Sequence, residues 1–192
     1  MTTIAYHHES KTIAWDSRTT EGGIIKTDSA IKVLERNGVK FWLTGSRSDY
    51  ELLIDAYFGA ELKVVPEASA IVLDGGEFYS CSVNEDAVFW RQTMESNEAI
   101  GSGRYWAMAA MDFGKTPKQA VEYAKTRDCY TGGEVHELCL SVETTEQKMM
   151  RMQANSSLMQ AAASGLCHHG KNSSECFSCC IEKESGTGVS KS

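Results

Sequence analysis

The 192-residue chain has no run of about 18 apolar residues able to span a bilayer, and no basic segment leading into a short apolar one. A helical membrane anchor and a secretory signal are therefore both missing from view. The expectation is a cytosolic protein, in a bacterium or in the host of a virus, with no membrane partner. Basic charge is also scarce: 19 Lys and Arg stand against 26 Asp and Glu, for a formal net charge of -7, and no basic stripe gathers them. Such a surface repels a phosphate backbone, which turns expectation away from nucleic acid and toward a peptide or protein. No internal repeat is visible, so solenoid architectures do not apply.

At 42% hydrophobic residues the chain can build one sizeable core with an appended tail. The seven cysteines divide into two groups. Cys81, Cys129 and Cys139 sit in apolar segments and are expected as reduced, core-filling thiols. Cys167, Cys176, Cys179 and Cys180 crowd the end of the chain with His168 and His169, and Cys176-x-x-Cys179 has the ligand spacing of a tetrahedral zinc site. Against zinc stands the surrounding Ser/Gly/Lys composition, which reads as a disordered tail with incidental thiols. No metal and no cofactor are expected. His7-His8 reads as a strand end rather than a ligand pair.

Alternation and turn signals predict short strands at residues 3–6, 12–16, 24–26, 31–34 and 39–44, running as one continuous meander with Asn37-Gly38 as a hairpin turn. Residues 49–58 read as a helix, with Ser46 or Ser48 available to cap it. Strands at 70–73, 78–82 and 88–91 suggest a second sheet. Helices at 104–113 and 117–127, separated by Gly114-Lys115-Thr116, are expected to cover that sheet. A strand over 135–142 completes a domain spanning 2–142. Residues 143–192 read as a Met-rich helix, with Met149, Met150, Met152 and Met159 suited to an oligomer contact, and then a disordered tail.

The chemistry begins at the front. Removal of Met1, which a small second residue permits, leaves Thr2 with a free α-amine whose ordinary pKa is about 7.7–8.0. That amine can take the proton of its own residue's hydroxyl, directly or through one water, so one residue supplies both attacker and base.

Four separated stretches bear on this. They are Thr2-Thr3-Ile4; Ile13-Ala14-Trp15-Asp16-Ser17-Arg18-Thr19-Thr20 followed by Ile31-Lys32-Val33; Gly101-Ser102-Gly103 followed by Ala107; and Arg127-Asp128-Cys129-Tyr130-Thr131-Gly132-Gly133. In this order the chain resembles the proteasome β subunits and the HslV-type peptidases, threonine proteases of the N-terminal nucleophile class. The resemblance implies an α+β fold, a four-layer α-β-β-α sandwich. It implies Thr2 as nucleophile, and Lys32 as a cation that stabilises charge on the hydroxyl and keeps the nearby amine neutral. It implies Asp16 as the group fixing that lysine, and the Gly45 N–H as oxyanion donor. Ser102, Asp128 and Thr131 would surround the amine, although Ser and Asp near helix ends also serve as caps. Thr19 and Thr20 would contact substrate, and Ala30 and Leu43 would form a small apolar pocket wall.

The match departs from the family in two places. The interval from Lys32 to Gly45 is shorter than in typical proteasome subunits, and HslV does not usually carry the Asp-x-Tyr-Thr-Gly-Gly turn in this form. With nothing before Met1-Thr2, removal of methionine alone is expected to expose the nucleophile. The implied function is a threonine-type endopeptidase in a homo-oligomeric ring fed by a separate ATPase unfoldase. Three alternatives remain open: a non-catalytic assembly subunit of the same fold, against which Thr2, Asp16 and Lys32 all speak; a small-molecule amidase, where N-terminal Cys or Ser is commoner; and a zinc-binding module centred on the tail.

Overall fold

The computed structural model describes residues 2–140. Most of its strands and helices follow the local signals, though a strand at Thr19–Glu21 falls where a polar loop was expected, and their assembly differs from a meander. Strands β1 (Thr3–His7), β2 (Thr12–Trp15), β3 (Thr19–Glu21), β4 (Ile24–Thr27), β5 (Val33–Arg36) and β6 (Val39–Gly45) precede helix α1 (Tyr50–Tyr57). Strands β7 (Ala68–Asp74), β8 (Glu77–Val83), β9 (Phe89–Thr93) and β10 (Glu98–Gly101) lead into α2 (Arg104–Asp112), α3 (Pro117–Lys125) and β11 (His136–Cys139). The predicted boundary near residue 142 and the tail expectations, including the four methionines and Cys167, Cys176, Cys179 and Cys180, lie outside the described residues.

The expected single meander is instead divided among three antiparallel sheets, ordered β10-β1-β2-β11, β3-β4 and β5-β6-β7-β8-β9. The reason lies at the strand edges. The outer edge of β2 is taken by β11, with His136 opposite Trp15, and the outer edge of β6 is taken by β7, with Gly45 opposite Ala68. No open edge is left for β2 to continue into β5. Strand β10, which lacks a turn signal of its own, was not expected; it pairs with β1 from Thr3↔Gly101 to Tyr6↔Glu98.

Three apolar clusters fill the fold, and the two-residue period of the strands sorts side chains between them. Ala5 and Ala14 face α2 and α3, meeting Ala107, Ala110, Ala120, Val121 and Ala124. Their neighbours Ile4, Tyr6 and Ile13 face the other way, onto Trp42, Ile71 and Phe78 of the five-stranded sheet. Phe41 and Leu43 point to that sheet's far side, where Leu53 and Ile54 of α1 cover them. The helix pair thus covers the β1 sheet and not, as expected, the β7–β9 strands. Alanines on that face of β1 and β2 let the helix backbones approach closely, whereas the bulky side chains of the opposite face need another sheet's large residues to fill space.

Helix α3 begins with a complete capping box between Thr116 and Gln119 and has Pro117 in its first turn, as Thr-Pro predicts. Ser46 and Ser48 cap nothing. Ser46 precedes a short 3-10 turn without a side-chain cap bond, and Ser48 donates to Asp49. Of the cysteines, Cys81 is buried as expected, but Cys129 and Cys139 are exposed free thiols. No helix among the described residues is long and apolar enough to cross a membrane.

Candidate active site

Strand register brings the distant motifs together. Because Thr3 pairs with Gly101 and Ile4 with Trp15, the residue before β1 lies between the end of β10 and the end of β2. Thr2 therefore meets Ser102 on one side and Asp16 on the other. The Ser102 N–H donates to the Thr2 carbonyl at 2.8 Å. Gly101 makes this contact possible: its φ is +97°, and a Cβ there would lie 1.9 Å from the Thr2 carbonyl oxygen.

Asp16 is the most heavily engaged polar residue. It is 0% exposed, Thr2 is 1% exposed, and Lys32 is 4% exposed. Its Oδ1 accepts from the Thr2 hydroxyl, from the Thr3 N–H at 3.0 Å and from Lys32 Nζ at 3.4 Å. Its Oδ2 accepts from the N–H groups of Gly132 at 2.9 Å and Arg18 at 3.3 Å. These donors offset what burying the carboxylate costs. Lys32, just ahead of β5, also donates to the Arg18 carbonyl. Burial pushes the Lys32 ammonium below its ordinary pKa of 10.5, while the Asp16 charge and hydrogen bond pull it back up.

On the other side a chain of hydroxyls runs to one carboxylate. An ionised carboxylate only accepts, which fixes the direction of every proton in the chain. The Thr131 hydroxyl donates to Asp128 Oδ2 at 2.6 Å, Thr3 Oγ1 lies 2.6 Å from Thr131 Oγ1 and donates to it, and the Gly103 N–H donates to Thr3 Oγ1 at 3.1 Å. Ser102 Oγ donates to Asp128 Oδ2 at 2.6 Å and lies 3.3 Å from the Thr2 carbonyl. Capping, the competing role for these side chains, is absent. The residue at the α2 N-cap is Gly103, and Ser102 faces Asp128.

Gly45 closes β6 with φ +107°, and a Cβ there would lie 2.0 Å from the Glu67 carbonyl oxygen. It lines two clefts at once. One, of about 400 Å³, includes Thr44, Gly101, Ser102 and Arg104; the other, of about 450 Å³ and more enclosed, includes Thr19, Thr20, Lys32, Arg47 and Tyr50. Thr19 and Thr20, expected to contact substrate, line this latter cleft. The expected apolar walls do not. Leu43 is fully buried under α1, because the strand alternation that turns Trp42 toward the first sheet turns Leu43 away from it, and Ala30 lines a different depression with Trp15 and Asp28. Tyr50 takes their place in the cleft; burial pushes its hydroxyl up to about 12.

Sequence reasoning passed over Arg18 and Thr3 as site residues. Arg18 holds Asp28 through two nitrogens, at 2.8 and 3.1 Å, and donates to the Cys129 carbonyl at 3.1 Å, tying the Asp16 loop to the Asp128 turn. Its place two residues after Asp16 was the available signal. Among the described residues no group of His, Cys, Asp and Glu is arranged to hold a metal ion.

The arrangement of sheets and helices is the fold of the HslV-type proteins. Solved structures with this fold include Thiobacillus denitrificans BPH, at 16% identity over 73% of this chain and 97% of that one, with a TM-score of 0.56. The same protein in complex with epoxomicin matches at 15% identity over 72% of this chain and 97% of that one, also at 0.56. Eukaryotic HslV from Trypanosoma brucei matches at 21% identity over 72% and 98%, at 0.55. No protein-family model and no curated protein matches the chain.

Proposed function

We propose that the chain is a threonine-type endopeptidase of the N-terminal nucleophile class, its α+β fold a four-layer α-β-β-α sandwich, acting in the cytosol from a homo-oligomeric ring that a separate ATPase unfoldase feeds. One observation carries this reading: a buried threonine hydroxyl at the start of the chain shares the Asp16 carboxylate with a buried lysine. Burying a cation is costly, and a chain with no use for Lys32 would be better served by an apolar side chain of similar size. The fold shared with an epoxomicin-bound protein is consistent with it.

On this reading the Met1–Thr2 bond is cut first, turning an amide nitrogen into a basic amine. The Thr2 hydroxyl attacks the carbonyl carbon of the scissile peptide, and its proton passes to that amine. The Lys32 ammonium stabilises the charge developing on Oγ, and the Gly45 N–H stabilises the oxyanion. Collapse breaks the C–N bond, the leaving amine takes the proton back from the Thr2 ammonium, and an ester on Thr2 remains. Water, deprotonated by the same amine, then hydrolyses the ester. Asp16 orients Lys32, and Ser102, Asp128 and Thr131 fix the strand end that carries the amine.

Intact mass after treatment with an epoxyketone tests the proposal. The expected result is loss of Met1 and one adduct on Thr2, with the Thr2→Ala protein folded by circular dichroism and inert toward peptides. Retained Met1 in soluble, folded protein, or surviving hydrolysis in Thr2→Ala, overturns it.

A further inference from the structure

The more enclosed cleft beside Gly45 is lined in part by Arg47, an exposed residue whose guanidinium forms no ion pair with an acidic side chain among the described residues. None of the carboxylates close to it in the chain lies within ion-pair distance of it among the described residues. Asp49 accepts from Ser48 and from the Glu67 N–H at 2.9 Å, Glu51 pairs with Arg36, and Glu21, which also lines the cleft, pairs with Lys26 at 3.0 Å. Lys32, another lining residue, is matched by Asp16. Arg47 is thus a cation without an ion-pair partner among the described residues, at a cleft that Thr19, Thr20, Thr27, Ser46, Tyr50 and the exposed Ile31 also line.

We propose that this cleft selects peptides with an acidic side chain, glutamate above all, on the residue whose carbonyl is attacked, and that Arg47 is the specificity-determining residue. The inference rests on the endopeptidase reading for the identity of the attacked bond. Because Gly45, Lys32 and Arg47 line one cleft, an oxyanion held by the Gly45 N–H would place the adjoining Cα at its mouth, and a carboxylate extended from it would face Arg47. The methylenes of a glutamate would lie on Ile31, and hydroxyls would complete the carboxylate's hydrogen bonds. The second cleft offers no such bias, because there Arg104 is accompanied by the exposed Glu67 and itself donates to the Gly101 carbonyl at 3.2 Å.

Two assays on the mature full-length protein test this. In the first, fluorogenic peptides differing only in the residue before the scissile bond (Glu, Gln, Leu or Lys) are compared by kcat/KM. In the second, peptides with the same C-terminal residues, capped as amides, are titrated against Thr2→Ala protein, where no reaction occurs. We expect glutamate to exceed glutamine and leucine by about fivefold and lysine by about tenfold in both assays, the scale of a partly screened charge pair. Arg47→Lys should keep the ranking, and Arg47→Glu should invert it so that lysine leads. Hydrolysis without an acidic preference overturns the specificity and leaves the peptidase reading standing. Acidic preference in binding without hydrolysis by the mature protein overturns the peptidase reading and leaves the Arg47 site standing. If neither hydrolysis nor a ranking in binding is seen, both fall.

Discussion

Two polar networks flank Thr2, and they are built on opposite principles. The Asp16 side is a full ion pair in the interior, where each charge survives through the other and through backbone N–H groups converging on one carboxylate. The Asp128 side is a relay of neutral hydroxyls ending on one part-buried carboxylate, with no cation in it among the described residues. Charge in a low-dielectric site exerts a strong field and is costly if left unmatched, whereas a hydroxyl relay fixes geometry at little electrostatic cost. On the proposed peptidase reading, chemistry belongs to the Asp16 side and positioning to the Asp128 side, and that assignment can be broken in four steps.

The largest effect belongs to Asp16. Asp16→Ala strands the Lys32 ammonium and leaves the Thr3 and Gly132 N–H groups without their acceptor, so it should cost about 3–5 kcal/mol in urea unfolding and abolish hydrolysis. A loss under about 1 kcal/mol would mean that water already reaches the pair.

Lys32→Met should part stability from activity. Asp16 keeps the Thr2 hydroxyl and three N–H donors, so folding should suffer less than in Asp16→Ala, while hydrolysis should drop by about a hundredfold or more from loss of the cation at the nucleophile. The lowered Lys32 pKa gives a second readout. If the ammonium is the working form, hydrolysis falls as pH rises through the folded-state pKa, at a pH below 10.5. Stability moves in the opposite sense. Between the folded pKa and 10.5 the unfolded chain binds more protons, so folding gains free energy as pH climbs through that window, and the burden of the buried charge is present below it. An alkaline limb at or above 10.5 would contradict the burial of this side chain.

Ser102→Ala, on the positioning side, should be milder. Asp128 retains Thr131 and the Tyr130 N–H, and the Thr2 carbonyl retains the Ser102 N–H, which belongs to the backbone. The expected cost is about 1 kcal/mol in urea unfolding, with hydrolysis reduced by about tenfold through a displaced amine. An effect equal to that of Lys32→Met would erase the distinction between the two sides.

How much of this could be read from the chain depends on the range of each signal. Helices and hairpin strands are local, and Asn37-Gly38, Thr116-Pro117 and the alternation of Ile4, Ala5 and Tyr6 declared themselves within a few residues. Asp16, Ser102 and Asp128 were singled out only through the resemblance of their motifs to a known family, because no local signal says that a strand end and a helix end will meet beside Thr2. Pairing between strands far apart in sequence was not legible. Nothing near β2 announces that β11 will take its edge, and nothing near residue 98 announces a strand that pairs with β1. The same non-locality misled the pocket. Leu43 and Ala30 lie at plausible positions in the sequence, but which face of β6 looks at the cleft is decided by α1 packing on the other one.

The smallest effect supplies the control for the whole comparison. Arg36 pairs with Glu51 and Asp55 of α1 at an exposed surface, so it presents the same kind of charges as Lys32 and Asp16 in a wet setting. Water already solvates all three groups, and ordering their side chains offsets most of what attraction gains. Arg36→Ala should therefore leave the urea midpoint where it was, and raising the salt to about 1 M should make variant and parent indistinguishable, since exposed charges are screened within a few ångströms there. The cost of Asp16→Ala should survive the same salt, because mobile ions cannot enter a site that is 0% exposed. If both substitutions responded to salt alike, burial would not be what separates the ion pair at Thr2 from an ordinary surface pair, and the reason for assigning chemistry to it would be gone.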